Sequence, residues 1–337
     1  MVWNIKINIY NFSNLLLLYH KRMSEILYPN LNLIDWPFVL TPDEKYSLFW
    51  AGRKKLKRDV DYFLSSICKI NISTIRLMWA YVGSGKSHTL KFIKSFSEIN
   101  DLSIFPIYLE YPKSSRSFLD LYREIVIQLE LENFDYSIQL KSTNPEMNNF
   151  LKIMKHGVES QKQLAIDWIR SNKVNLREIR NIGFRERIED SNTSSKILST
   201  LIPIVLNTQK KGMFLIMIDE FQRIGEVNEK QRKDINTGIH SIFNALPRHI
   251  TFLLSFSVRQ QDTINKLITP EVLSRSNRSE LFELKLLDEN ESIEFIFELI
   301  QLFKIDKSLE TPITMDQIRL ILQYLVENMS TKYELKP

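Results

Sequence analysis

The chain has 337 residues, of which 44% are hydrophobic and 25% charged, with 45 Lys and Arg against 40 Asp and Glu. That length predicts about two domains, and both fractions are those of a globular protein, which excludes a disordered tract, a collagen-like repeat and a disulfide scaffold. The one cysteine, Cys68, rules out an internal disulfide and a cysteine-cluster zinc site, and fits a reducing compartment with the cytosol as the expected location.

Near the start, the longest apolar run is Leu15 to Tyr19, far short of the roughly 20 residues that span a bilayer, so no membrane association is expected. The first 22 residues lack a small-residue cleavage site, and Met23 is an alternative start. Residues 1–35 read as an N-terminal extension. Thr41-Pro42-Asp43-Glu44 combines a hydroxyl cap, proline at the first helical position and a glutamate three residues on, predicting a helix through Trp50. A second helix is expected from about Lys54 to Cys68, beginning within the basic run Arg53 to Arg58.

Ile75 to Trp79 reads as a buried strand, His88 to Phe96 as a helix and Leu102 to Glu110 as another strand. From about 113 to 205 the pattern is mainly helical and reads as an insertion. Strand character returns at Met213 to Ile218, followed by a helix near Asp234 to Leu246 and a strand at Ile250 to Phe256. Beyond these, Asp288 to Phe303 and Thr314 to Val326 are amphipathic, with capping-box starts DENE and TMDQ. Strands alternating with helices predict a three-layer α/β fold around a mainly parallel sheet. The division expected is 36–284 for this domain and 285–337 for a partial helical lid, its closing residues reading as a chain cut short.

Only 8 glycines occur, so the pair Gly83 and Gly85 stands out. They belong to Ala80-Tyr81-Val82-Gly83-Ser84-Gly85-Lys86-Ser87, between a predicted strand and a predicted helix. This is the phosphate-cradling P-loop pattern with alanine in place of its first glycine. Backbone N–H groups wrap the phosphates, Lys86 reaches the β- and γ-phosphates, and Ser87 holds Mg²⁺. His88 follows the loop; it and Tyr81 join the nucleotide-binding candidates, with packing against the first helix as the other reading of both. A second motif, Phe214 to Glu220, is an apolar strand ending in two carboxylates. At the C-terminal end of a parallel strand these face the ligand crevice. Asp219 then completes the Mg²⁺ shell, largely through water, and Glu220 activates the attacking water.

On these motifs the chain resembles the P-loop ATPases with an extra catalytic glutamate, in particular the AAA+ class near origin-recognition initiators and the STAND signalling ATPases. The resemblance spans roughly Trp36 to Val326. It implies that Phe49-Trp50-Ala51-Gly52-Arg53 is a G-R box bordering the adenine pocket, with Gly52 and Arg53 beside the nucleotide, although Lys54 stands where that family often has an acidic residue. It implies a γ-phosphate sensor at the tip of the next core strand, Ser257 or, in the other register, Ser255. It further implies an arginine finger acting in trans, Arg275 within Pro270 to Ser276, and hence a homo-oligomer with ATP. The arginine that such lids usually supply has no evident equivalent here. Two functions stay open: an ATPase using ATP and Mg²⁺ to drive a conformational change on a partner, DNA or protein, and a nucleotide-gated switch with little turnover.

Overall fold

The computed structural model describes residues 29–38, 46–81, 83–136, 142–276 and 282–333. The strands are β1 (Thr74–Ala80), β2 (Ile104–Glu110), β3 (Met213–Asp219), β4 (Ile250–Ser257) and β5 (Phe282–Leu284). The helices before the third strand are α1 (Lys54–Ile70), α2 (Lys86–Ile99), α3 (Phe118–Ile127), α4 (Pro145–His156), α5 (Glu159–Ile169), α6 (Leu176–Asn181) and α7 (Ser191–Thr208). After it come α8 (Glu229–Ala245), α9 (Asp262–Leu267), α10 (Pro270–Leu273), α11 (Glu289–Phe303) and α12 (Met315–Tyr333). Residues divide into two compact units, one of Leu64–Lys86 and Phe96–Leu284, the other of Met1–Phe63, Ser87–Ser95 and Lys285–Pro337.

In the first unit the strands form one parallel sheet in the order β2-β3-β4-β1-β5. All seven residues of β3 are buried, as its unbroken apolar sequence requires of a strand covered on both faces. Register pairs Ala80 of β1 with Ser257 of β4, and Ile218 of β3 with Leu254 of β4. The chain leaves β1 toward one edge of the sheet, to β2, and leaves β4 toward the other, to β5. Their C-terminal ends therefore flank a switch point, where open α/β sheets bind ligands.

The helices between β2 and β3 share one continuous core with the sheet. Trp168 stacks on Phe184 at a ring separation of 3.9 Å, and its indole N–H donates to the Glu186 carbonyl at 2.9 Å. The fully buried Tyr122 donates its hydroxyl to the Ile169 carbonyl at 2.6 Å, so a buried polar atom is satisfied. Where α8 crosses α3, Gly238 lies against the ring of Phe118: a Cβ there would stand 2.1 Å from Phe118 Cγ. Gly238→Ala is therefore expected to destabilise the chain by about 1–3 kcal/mol in urea titration, the overpacking outweighing about 1 kcal/mol of gained helix propensity.

In the second unit, Leu33, Phe49, Ala51, Leu299, Ile300 and Phe303 form a separate apolar cluster, with the Phe49 and Phe303 rings 4.2 Å apart. The helix expected through Trp50 is corrected for its described part. Residues 46–48 are a 3-10 end and a turn, Phe49 and Trp50 have no helical structure, and Thr41 to Glu44 lie outside the described residues. The cause is packing: Phe49 meets Phe303 while Trp50 meets Phe92, and consecutive side chains reach such separate partners from extended chain. Both C-terminal capping boxes form as read. Asp288 caps Glu291, and Thr314 and Gln317 exchange hydrogen bonds. In the first unit, Cys68 is partly buried, and that burial pushes its thiol pKa up, so the reactive thiolate is disfavoured. Among the described residues, no helix is long and apolar enough to cross a membrane.

Candidate functional site

β1 runs to Ala80, and the chain then turns through the loop into α2. Positive φ falls on Gly83 (81°) and Gly85 (86°), the two glycines retained, while Ala80 keeps strand geometry. Alanine in place of the motif's first glycine therefore carries no backbone strain. A Cβ at Gly83 or Gly85 would meet nothing within 4 Å, so both face open space. The Tyr81 carbonyl accepts from Ser84 Oγ at 2.6 Å and from Lys86 Nζ at 3.3 Å, which tightens the loop. Helix α2 starts at Lys86 with Gly85 as its N-cap, with no side-chain cap and no acidic residue in its first turn. Its dipole thus presents positive character to an anion. Tyr81 is exposed, and Val82 lies outside the described residues.

Lys86 is buried, and burial pushes its ammonium pKa down while the Glu220 and Asp219 carboxylates hold it up. The cation thus sits in the field of the acidic pair that the sequence placed 133 positions downstream for Asp219. Asp219, 1% exposed at the tip of β3, accepts at Oδ1 from Ser255 Oγ and from the Glu220 N–H, both at 2.9 Å. Tyr108 of β2 donates to Asp219 Oδ2 at 3.4 Å. Its phenol pKa is pushed up by burial first and then by the carboxylate, so it stays a donor.

Glu220 has φ 55°, a left-handed conformation that ends β3 abruptly and starts a 3-10 turn over Phe221–Gly225. Such a conformation costs a non-glycine residue about 1–3 kcal/mol and is concentrated at functional sites. The turn brings Gln222 back beside Glu220. Glu220 Oε1 accepts from Ser257 Oγ at 2.9 Å and Oε2 from Gln222 Nε2 at 2.6 Å, while Gln222 Oε1 accepts from the Ser257 N–H at 2.8 Å. The Val258 N–H in turn donates to the Ala80 carbonyl at 3.2 Å. A hydrogen-bonded path therefore links the P-loop entry, the tip of β4 and Glu220.

Ser255 and Ser257, alternatives in the sequence, occupy one face of β4 and engage different carboxylates, the first Asp219 and the second Glu220. Gln222 and Tyr108 were not legible as members of this cluster. Nothing in the sequence foretold the turn that carries Gln222 back. Tyr108 had only its place near the end of β2 as a signal.

Arg275 is not brought to this cluster. Its carbonyl accepts from the Ile75 N–H at 3.2 Å, at the beginning of β1, and its guanidinium donates to Asn244 at 2.9 Å. Strand β1 separates it from the P-loop by about 15–20 Å at roughly 3.3 Å per residue, beyond the reach of an arginine side chain.

In the second unit, the Gly52 N–H donates to Glu298 Oε2 at 2.7 Å and Arg53 Nη1 to the Lys285 carbonyl at 2.8 Å. Both residues have positive φ, 58° and 50°. Lys54 pairs with Glu294 at 2.9 Å and Lys57 with Glu298 at 3.7 Å. The basic run is thus partly paired with acidic residues of α11. Ser87 and His88 also fall in this unit. Burial pushes the His88 pKa to about 4, so its ring is neutral at pH 7 and adds no charge.

The two loop glycines, the lysine at the helix start and the Asp-Glu pair fit a nucleotide with its magnesium: open space lies beside the loop backbone, and a cation and carboxylates lie near it. No group of three or more His, Cys, Asp or Glu able to hold a metal occurs among the described residues. This parallel sheet, with its loop and its acidic strand end, defines the chain as a P-loop NTPase fold.

A family model described as "BREX system ATP-binding protein BrxC/D" matches residues 139–257, a stretch that holds Asp219, Glu220, Ser255 and Ser257 but not the P-loop. No curated protein matches. Among solved structures, the chain is similar to the Walker-type ATPase PABY2304 of Pyrococcus abyssi at 14% identity and a TM-score of 0.45, covering 86% of this chain and 67% of that one. It is similar to the Aeropyrum pernix ORC2 protein, solved as ADPNP-ADP complexes, at 15% identity and a TM-score of 0.45, over 78% of this chain and 56% of that one. The Aeropyrum pernix ORC1 protein, solved in complex with DNA, follows at 11% and 0.44, over 78% of this chain and 52% of that one. The chain thus spans between about half and two thirds of the lengths of these proteins.

Proposed function

We propose that the chain binds ATP with Mg²⁺ at the P-loop and hydrolyses its terminal phosphoanhydride, coupling nucleotide state to a conformational change on a partner. The convergence of Lys86, Asp219 and Glu220 at the C-terminal ends of β1 and β3 carries this reading. The backbone of Ala80 to Gly85 binds the phosphate chain, and Lys86 offsets its charge. Ser87 and Asp219 hold Mg²⁺, with Ser255 fixing the Asp219 carboxylate. The metal supplies neutralisation of charge on the phosphate oxygens. Glu220 orients a water and takes its proton, and Ser257 holds Glu220 at Oε1. Tyr81 is assigned to the nucleotide's surroundings. Arg275 is assigned to a neighbouring copy's site, a role its distance from its own P-loop favours, and this calls for ATP-dependent assembly of copies.

A second reading, a nucleotide-gated switch with little turnover, is favoured by one observation: both Glu220 carboxylate oxygens already accept hydrogen bonds. Steady-state phosphate release by the purified chain, with and without duplex DNA, separates the two. Turnover supports hydrolysis; tight ATP binding without phosphate release supports the switch. For the partner, the exposed Lys54 pairs with Glu294 and the buried Lys57 with Glu298, which leaves Lys55 and Arg58 as the exposed cations of the basic run outside these ion pairs. If the run contacts DNA phosphates, log affinity is expected to fall against log salt with a slope of only about −2, measured by fluorescence anisotropy. A slope several times steeper would place the DNA contacts elsewhere.

A further inference from the structure

Gln222 touches both Glu220 and the backbone of the neighbouring strand. Its two ends have unlike partners. The Ser257 N–H can only donate and the Glu220 carboxylate can only accept, so the amide is fixed with Oε1 toward β4 and Nε2 toward Glu220. The bond to Glu220 is charge-assisted and short, 2.6 Å, which places it among the stronger hydrogen bonds of the site. Ser257 closes the ring by donating Oγ to the other carboxylate oxygen at 2.9 Å. Ring closure matters because Glu220 sits at a left-handed kink, where its backbone is the end of β3 and the start of a single 3-10 turn. Without side-chain partners a glutamate there has three freely rotating bonds. With Ser257 and Gln222 on separate oxygens, one carboxylate orientation is selected.

We infer that Gln222 is a positioning residue, which through its bridge between Glu220 Oε2 and the Ser257 N–H holds the Glu220 carboxylate in the orientation from which it activates water. This rests on the hydrolysis reading above. Gln222 itself touches no reacting atom; it acts through Glu220. A displacement of a reacting group by about 1 Å costs up to about 10²-fold in rate, which sets the scale of the effect.

The test compares the full wild-type chain with Gln222→Ala and with Gln222→Met, which keeps the side chain's length but neither hydrogen bond. Phosphate release, ATP affinity and melting temperature are measured, together with amide hydrogen exchange at Ser257 in nucleotide-free protein. The expected result is a fall in kcat of about 10- to 100-fold in both variants with KM unchanged. Ser257 exchange should quicken about tenfold or more at an unchanged melting temperature, since its N–H loses its acceptor. A kcat within about twofold of wild type, a change in KM alone, or Ser257 exchange unaffected in both variants would overturn the assignment. Absence of turnover in the wild-type chain is a separate outcome: it removes the hydrolysis reading and the positioning role with it.

Discussion

Glu220→Gln is expected to lower ATP turnover by about 10²- to 10⁴-fold, the range a positioned general base supplies, while ATP affinity stays within about twofold. The amide cannot take a proton from water. It also disturbs its own surroundings, because Gln222 Nε2 and Ser257 Oγ both aim donors at the two oxygens. A glutamine offers one acceptor and one donor, so at least one of those bonds is lost or inverted. Phosphate release and fluorescent-nucleotide titration on the same preparation check this. Turnover equal to wild type would remove Glu220 from the base role and leave Asp219 as the remaining carboxylate at the strand tip.

Lys86→Ala is expected to weaken ATP binding by about 10²-fold, as loss of a buried charged hydrogen-bond donor to an anion does. Lys86 is the buried cation facing both carboxylates, so its removal also leaves Asp219, 1% exposed, without that compensating charge. The carboxylates then repel the phosphates that Lys86 would have attracted, and the two effects have the same sign. Calorimetric titration with ATP and Mg²⁺ measures the loss. Binding within about twofold of wild type would mean that the phosphates do not sit at this loop.

The order of elements was legible because the strands are long, apolar and buried on both faces. Met213 to Asp219 needs no tertiary information to read as a core strand, and Ile250 to Ser257 hardly more. The P-loop was legible because glycine is rare in this chain and the loop's geometry demands it at Gly83 and Gly85. The three-residue β5 was not, since Phe282–Leu284 is too short to show an alternation and is a strand only because Met78 to Ala80 pair with it. The segment at Phe49 and Trp50 was misread for a related reason: its capping signal is local, whereas the partners that pull those rings apart lie 42 residues away for Trp50 and further still for Phe49. Asp219 and Glu220 were visible as a strand-end pair. Gln222 was invisible, because its place beside Glu220 depends on the left-handed φ of Glu220 itself, which glutamate rarely adopts and no motif announces.

The charge pattern carries a similar lesson. In the sequence, Arg53 to Arg58 is a dense basic run and Glu280 to Glu298 carries mostly acidic charge, and solvated helix faces are the plainer reading of both. In the fold, Lys54 and Lys57 lie on α1 against Glu294 and Glu298 of α11, so part of each cluster is spent on the other. Spacing along one helix cannot show this, since the partner is supplied by an element more than 200 residues away.

The most direct test of the central claim is phosphate release by the wild-type chain and Glu220→Gln, with bound nucleotide quantified in the same samples. The account predicts ATP bound by both proteins and phosphate released by the wild type alone. Equal release by both, or no ATP bound by the wild type, would contradict it.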